Sequence, residues 1–132
     1  MTATEIEETV QIIPQFAKRG GILPVAVQET ATGQILMLAS VNQEAFEYTV
    51  QHKVAAFYST SKNQLWVKGE TSGNYLTVDE ILIDCDQDAL VYKVILTKGG
   101  VCHTFNQFGE NRKACFYRSL NIESKTLEFI EK

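Results

Sequence analysis

Residues Asp84-Cys85-Asp86-Gln87-Asp88 put three carboxylates and a thiol into five positions, directly after the apolar run Ile81-Leu82-Ile83. The other two cysteines, Cys102 and Cys115, follow downstream. Carboxylate oxygens suit Mg²⁺ and thiolates suit Zn²⁺. One short segment therefore offers ligands for two different metals, and the chemistry it points to is metal-assisted hydrolysis. On an extended backbone Asp84, Asp86 and Asp88 share one face and Cys85 takes the other. Three like charges on one face repel, and a divalent cation removes that penalty. Asp is also a common turn residue, so an acidic hairpin turn accounts equally well for the cluster taken alone.

A single free Cys is more often a small buried apolar residue than a ligand. Cys102 departs from that pattern, because it lies between Gly99-Gly100-Val101 and His103 in a polar segment. The cysteine spacings match no structural zinc module with paired knuckles. Three protein ligands with a fourth position left open are instead the pattern of a catalytic zinc. His103 admits three readings: a fourth ligand, a general base titrating near neutrality, or an ordinary loop histidine. His52, beside Lys53 at an expected helix end, reads as structural. Lys62, Lys68, Arg112, Lys113 and Arg118 offer positive charge to a phosphate, although a solvated surface role is the more frequent one for any single Lys or Arg. Ser72-Gly73 and Gly99-Gly100 permit close backbone approach to a ligand. Neither is a P-loop or a dinucleotide fingerprint.

The elements that must position these groups are mostly short strands. Glu5 to Ala17 carries a helical stripe of Ile6, Val10, Ile13 and Ala17, with an end or kink expected at Pro14. Ile22 to Glu29 and Gln34 to Ala39 read as strands around the turn Thr30 to Gly33. Asn42 caps an expected helix with Glu44 in its first turn. Val54 to Ser59 and Leu65 to Val67 are strands around a polar turn, followed by the glycine-punctuated loop Lys68 to Asn74. Tyr75 to Ile83 and Ala89 to Thr97 are the two strongest strands, and the Asp/Cys cluster is their connection. Cys102 to Arg112 is irregular, Ala114 to Arg118 is an expected strand, and Leu127 to Ile130 a terminal one. The fold class is α+β and β-dominated. The expectation is one domain over residues 1–132, with mostly antiparallel strands in a small barrel-like or sandwich arrangement and flanking helices.

The length of 132 residues suffices for one core. At 45% apolar and 21% charged, the composition is that of an ordinary globular protein. The net charge of −4 supplies no basic field, so nucleic acid is not the expected partner. No apolar run reaches the length of a membrane span. The acidic start Met1 to Glu8 lacks the basic-then-apolar pattern of a signal peptide. The expected location is the cytoplasm, where thiols stay reduced, and an odd count of three cysteines fits metal ligation or inert thiols there.

Several rare motifs occur together and in order. Leu65-Trp66-Val67-Lys68-Gly69-Glu70-Thr71-Ser72-Gly73-Asn74 resembles the LWxKGExSGN signature of the phosphoribosyl-AMP cyclohydrolase family. Asp84 to Leu90 resembles its DCDxDAL segment, Cys102-His103-Thr104 its CHT segment, and Ala114 to Arg118 its SCFYR end. Leu23 to Gln28 and Ile35 to Ala39 match its opening strands, and Tyr58, Ser59 and Ser61 match parts of its YSRSR loop. The resemblance spans roughly residues 20 to 118. It implies hydrolysis of the purine N1–C6 bond of phosphoribosyl-AMP in histidine biosynthesis. It implies a homodimer whose zinc sites are shared between subunits. It implies Zn²⁺ on Cys85, Cys102 and Cys115, and Mg²⁺ on Asp84, Asp86 and Asp88. His103 would move the proton, and Lys62, Trp66, Lys68, Glu70, Ser72, Gly73 and Arg118 would contact the nucleotide.

The chain departs from the pattern in places. Twelve residues separate Cys102 from Cys115, more than the family usually has, with Phe105 to Lys113 enlarged. Thr60 and Lys62 stand where arginines are usual, and lysine does not replace arginine at a bidentate phosphate site. Leu76 stands where glutamine is common. Two other functions therefore stand beside the cyclohydrolase. One is a related zinc hydrolase or deaminase acting on another purine nucleotide. The other is a non-enzymatic module stapled by zinc, which needs a closed shell and hence a fourth ligand such as His103.

Overall fold

Apolar alternation in the segment after Gly20-Gly21 produces the first strand of the computed structural model, which describes all residues from Met1 to Lys132. In β1 (Leu23–Glu29) the side chains of Leu23, Val25 and Val27 are fully buried and the intervening ones are not. β1 turns back into β2 (Ile35–Val41). Asn42 then accepts a hydrogen bond from the Ala45 N–H at 2.9 Å and starts α2 (Gln43–His52). Lys53, in the left-handed conformation at φ 61°, ends it. α2 buries Ala45, Phe46 and Thr49. A hairpin of β3 (Ala56–Ser59) and β4 (Gln64–Val67) follows.

β5 (Leu76–Ile83) and β6 (Leu90–Leu96) form the long hairpin expected around the Asp/Cys cluster. β6 then lies parallel to β1, with Val25 opposite Leu90 and Glu29 opposite Val94. The main sheet has the order β2-β1-β6-β5. Its two central strands carry Val25, Val27, Tyr92 and Val94, all fully buried. β7 (Arg118–Asn121) and β8 (Thr126–Phe129) make a separate C-terminal hairpin. Four of the five strand pairings are antiparallel.

Three expectations are corrected. The three sheets stay separate and do not close into a barrel. The N-terminal helix does not run to Ala17: α1 is Ala3–Glu8, capped by the Thr2 hydroxyl, and a 3₁₀ turn follows at Phe16–Arg19. Pro14 explains part of this, since it supplies no N–H and disfavours helix at the residue before it. Gln87 explains the rest. Its side chain accepts from the Ile13 N–H at 2.7 Å and donates to the Ile6 and Gln11 carbonyls, while its carbonyl accepts from the Gln15 N–H. The arm is held extended by long-range hydrogen bonds. Finally, Ala114 to Tyr117 is not a strand; the Cys115 N–H bonds the Leu36 carbonyl at 2.7 Å, and pairing begins only at Arg118.

Tyr92 is the largest fully buried side chain, and its hydroxyl has no hydrogen-bond partner. Thr49 is close enough to favour the phenolate slightly, but its hydroxyl already accepts from the Ala56 N–H and is within bonding distance of the Ala45 carbonyl. An unsatisfied buried hydroxyl costs stability. Tyr92→Phe is therefore expected to match wild type or exceed it by about 1 kcal/mol in denaturant unfolding near neutral pH. Burial also pushes the Tyr92 pKa from 10.0 up to about 12. Below pH 10 that stability is intact; above it the unfolded chain ionises first, and stability falls until the folded phenol titrates as well. The phenylalanine variant should lose less through this window, and a clearly destabilised variant would show that the hydroxyl has a partner after all.

Candidate active site

The Asp84 to Asp88 connection is a tight turn rather than an extended segment, with Gln87 at φ 57°. Asp84 organises it: one carboxylate oxygen accepts from the Asp88 and Ala89 N–H groups at 2.9 and 3.1 Å. The three carboxylates still converge, with ligand oxygens all within 4.8 Å of one another. The turn, not strand alternation, brings them together. Two cations from the 3₁₀ turn offset part of the cluster's charge. Lys18 Nζ lies 2.8 Å from Asp86 and 2.9 Å from Asp88, and Arg19 lies 3.1 Å from Asp88. Hydrogen bonding to Lys18, above all, holds the buried Asp88 carboxyl well below the usual carboxylate range. Desolvation pushes Asp84 upward. Lys18 and Arg19 escaped the sequence reading, because only folding places the residues before Gly20 against a turn nearly 70 positions away.

Cys102 and Cys115 form the second cluster. Val101 and Cys102 donate their N–H groups to the Lys113 and Arg112 carbonyls at 3.0 and 3.1 Å, so the loop between the cysteines folds back on itself. Cys102 is buried and Cys115 is exposed at the residue level. Burial raises the Cys102 pKa, but hydrogen bonds from the Thr104 hydroxyl and N–H, the neighbouring Cys115 and the Arg112 charge outweigh it and leave the value below 9.0. Desolvation and the Cys102 charge push Cys115 up to about 11. The two thiols therefore titrate as a coupled pair. Lys68 adjoins both thiols: burial pushes its pKa down, while Cys115 and Cys102 pull it up. Its ammonium donates to the Val101 carbonyl. His103 is exposed beside Cys102.

Cys85 does not join this pair. It follows the end of β5 at one edge of the main sheet, whereas Cys115 is tied to Leu36 of β2 at the other edge. Three interstrand steps separate those edges, roughly 14 Å at the usual spacing. One chain thus holds two thiols at one site and the third at another.

An open cleft of about 620 Å³ lies alongside Lys68, lined by Ser59, Lys62, Trp66, Lys68, Glu70 and Ser72 among others. Five of the seven sequence-predicted substrate residues line this one cleft. Gly73 borders it in sequence, and Arg118 stands elsewhere, stacked 5.1 Å from the Tyr117 ring. The Lys68 ammonium is 5.9 Å from the Trp66 ring. The loop below the cleft closes through the Gly73 N–H and Gly69 carbonyl at 2.7 Å. At Gly69, φ is +90° and a Cβ would come within 2.4 Å of the Asn74 and Tyr75 backbone.

The chain is similar to several proteins of known description. The phosphoribosyl-AMP cyclohydrolase family model matches residues 37–117. A Hyphomonas neptunium protein described as phosphoribosyl-AMP cyclohydrolase is 44% identical over 126 residues, 96% of this chain and 88% of its own length. One from Rhizobium rhizogenes with the same description is 41% identical over 121 residues, 91% and 76% of the two chains. The Thermus thermophilus histidine biosynthesis bifunctional protein HisIE is 46% identical over 110 residues, covering 83% of this chain and 48% of that one.

Gly69→Ala must displace backbone as well as adopt a left-handed conformation. It should cost about 2 kcal/mol or more of folding stability. It should also weaken nucleotide binding to the cleft, measured by calorimetry. Unchanged stability and binding would mean that the loop's close return is not required.

Proposed function

The chain belongs to the phosphoribosyl-AMP cyclohydrolase family, and from that premise we propose that it opens the adenine ring of phosphoribosyl-AMP by hydrolysing the N1–C6 bond, with Zn²⁺ and Mg²⁺ as its metals. The observation that carries this reading is the thiol pair Cys102/Cys115 at Lys68, whose side chain also lines a nucleotide-sized cleft. Trp66 offers an aromatic face to the base, and base–aromatic stacking is worth about 1–3 kcal/mol. Lys62 and Lys68 offer charge to a phosphate, and Gly69 and Gly73 leave room for the loop backbone to approach it. His103, exposed beside the thiols, is placed to pass a proton to the opening ring.

The donor sets fit the metals. Octahedral Mg²⁺ at about 2.1 Å puts its ligand oxygens roughly 3–4 Å apart, compatible with the Asp84, Asp86 and Asp88 cluster. Two adjacent thiols favour a soft divalent ion, which takes both as thiolates. Zinc bound there would supply Lewis-acid chemistry and a nucleophilic water at neutral pH. The shell lacks its third thiolate within one chain. A second copy offering Cys85 completes it, and a two-fold dimer repeats the arrangement.

Incubation with phosphoribosyl-AMP, followed by ultraviolet absorbance, tests the reaction; ring opening is expected, and an unreactive zinc-loaded protein would point to another purine nucleotide. Mixing tests the shared site. Cys85→Ala and Cys102→Ala chains should each be inactive, and subunit exchange should restore part of the activity, since one site of the mixed dimer has all three thiolates. No recovery despite demonstrated exchange would mean that each chain builds its own site. Lys18 tests the second metal. A divalent ion at the cluster must displace its ammonium from Asp86 and Asp88. Lys18→Gln should therefore bind Mn²⁺ more tightly, by about tenfold on a magnetic-resonance titration. Weaker binding would remove Lys18 as the competing cation.

A further inference from the structure

The segment beyond Tyr117 lies outside the matched family region. It does not trail away. The Asn121 side chain accepts from the Glu123 and Ser124 N–H groups and forms the turn of the β7–β8 hairpin. The hairpin returns the chain to the loop between Cys102 and Cys115. Just after Cys115, the Tyr117 carbonyl accepts from the Ile130 N–H at 2.7 Å, and Phe129 stacks on Tyr117 with ring centres 6.1 Å apart.

Glu131 is the centre of this contact. One of its carboxylate oxygens accepts from the Lys113 N–H at 2.8 Å, and the other accepts from the Asn106 side-chain amide at 3.0 Å. Its carbonyl accepts from the Arg112 guanidinium at 3.0 Å. That guanidinium lies over the Tyr117 and Phe129 rings at 4.2 and 5.5 Å. The Lys132 carbonyl accepts from the Gln107 N–H at 2.8 Å. Arg112 and Lys113 are the residues whose carbonyls hold the Cys102 and Val101 N–H groups. Cys115 follows two positions later.

We infer that Glu131 is a positioning residue for the Cys102–Cys115 pair. Its carboxylate fixes residues 112–113, and through them sets the separation of the two thiols across an enlarged loop that has little core of its own. Phe105 and Phe108 on that loop are mostly exposed, so hydrogen bonds from the tail do what burial does elsewhere. Charge-assisted bonds to a carboxylate are the stronger kind. The tail and the enlarged loop form one unit, and each is left without its partners if the other is removed. The consequence for metal affinity rests on the zinc reading above.

Two measurements on full-length protein separate the inference from that reading. The first uses reduced, metal-free protein in a Cys85→Ser background. Dibromobimane becomes fluorescent when it bridges two thiols, and peptide mass spectrometry identifies the Cys102–Cys115 bridge. Glu131→Ala should bridge several times more slowly than the parent. Glu131→Asp keeps the charge but is too short to reach the Lys113 N–H, so it should behave like Glu131→Ala. Glu131→Gln keeps the oxygen that faces the Lys113 N–H but loses the charge and sets an NH2 against the Asn106 amide, so it should fall between the parent and Glu131→Ala. Trp66 fluorescence during denaturation should show an intact core in all of them. The second measurement is zinc competition against a chromophoric chelator in the Cys85-containing chain. Glu131→Ala should hold zinc about tenfold more weakly, in the range seen when a residue supporting a metal ligand is lost. Parent-like bridging in both Glu131→Ala and Glu131→Asp would overturn the inference whatever the zinc result. Slowed bridging in a protein that binds no zinc would keep Glu131 as a positioning residue and remove the zinc reading instead.

Discussion

The parallel pairing of β1 with β6 is the constraint on which the other features depend. It places a hairpin on each side: β2 beyond β1 and β5 beyond β6. The pair is buried on its inward positions by Val25, Val27, Tyr92 and Val94, so its register cannot slip by one residue without turning that core outward. Once it is fixed, the Asp84–Asp88 turn is committed to one edge of the sheet. The segment carrying Cys115 is committed to the other, through its bond to Leu36. The separation of the third thiol from the first two is thus a property of the sheet order. Bringing Cys85 to Cys115 in the same chain would require releasing the bond to Leu36 and carrying a loop across the width of the sheet.

Each ligand cluster is accompanied by a lysine. Lys18 spans Asp86 and Asp88, and Lys68 adjoins Cys102 and Cys115. The two are not equivalent. Lys18 is half exposed, and water can replace its ammonium at the open Asp86 more readily than at the buried Asp88. Lys68 is more enclosed, and burial depresses its pKa. It also bonds the Val101 carbonyl, so its position belongs to the same hydrogen-bonded unit as Cys102. An ammonium that can exchange suits a site where a hydrated cation comes and goes. One held by backbone suits a site with fixed geometry.

The sequence made the main sheet legible because β1, β2, β5 and β6 carry strong local signals: apolar alternation, a Gly33 turn and an acidic break at Asp84. Asn42 identified α2 for a reason that is also local, its side-chain bond to the Ala45 N–H. The metal-type residues were legible from their chemistry, and their convergence was confirmed for the three aspartates, although through a turn rather than an extended strand. What was not legible depends on distant partners. The arm from Thr9 to Gln15 follows Gln87, not its own helical stripe. Ala114 to Tyr117 is occupied by Leu36 and by the C-terminal tail, so it never enters a sheet of its own. Glu131 looks like any terminal surface carboxylate until the hairpin brings it back to Lys113.

The two ends of the chain therefore play parallel parts. The N-terminal arm packs on the aspartate turn through Gln87 and supplies Lys18 and Arg19 to it. The C-terminal tail packs on the thiol loop through Glu131. In both cases an irregular segment bearing reactive groups is too short of apolar side chains to fix itself by burial, and long-range hydrogen bonds do so instead. Such bonds contribute about 1 kcal/mol each when formed, but leave costly orphans when broken. Geometry secured this way is cooperative: the Gln87 side chain makes three bonds to the arm and the Glu131 side chain two to the loop, so loss of either releases several groups at once. The sheet supplies the distance between the aspartate turn and the thiol pair, and the chain ends supply the precision within each.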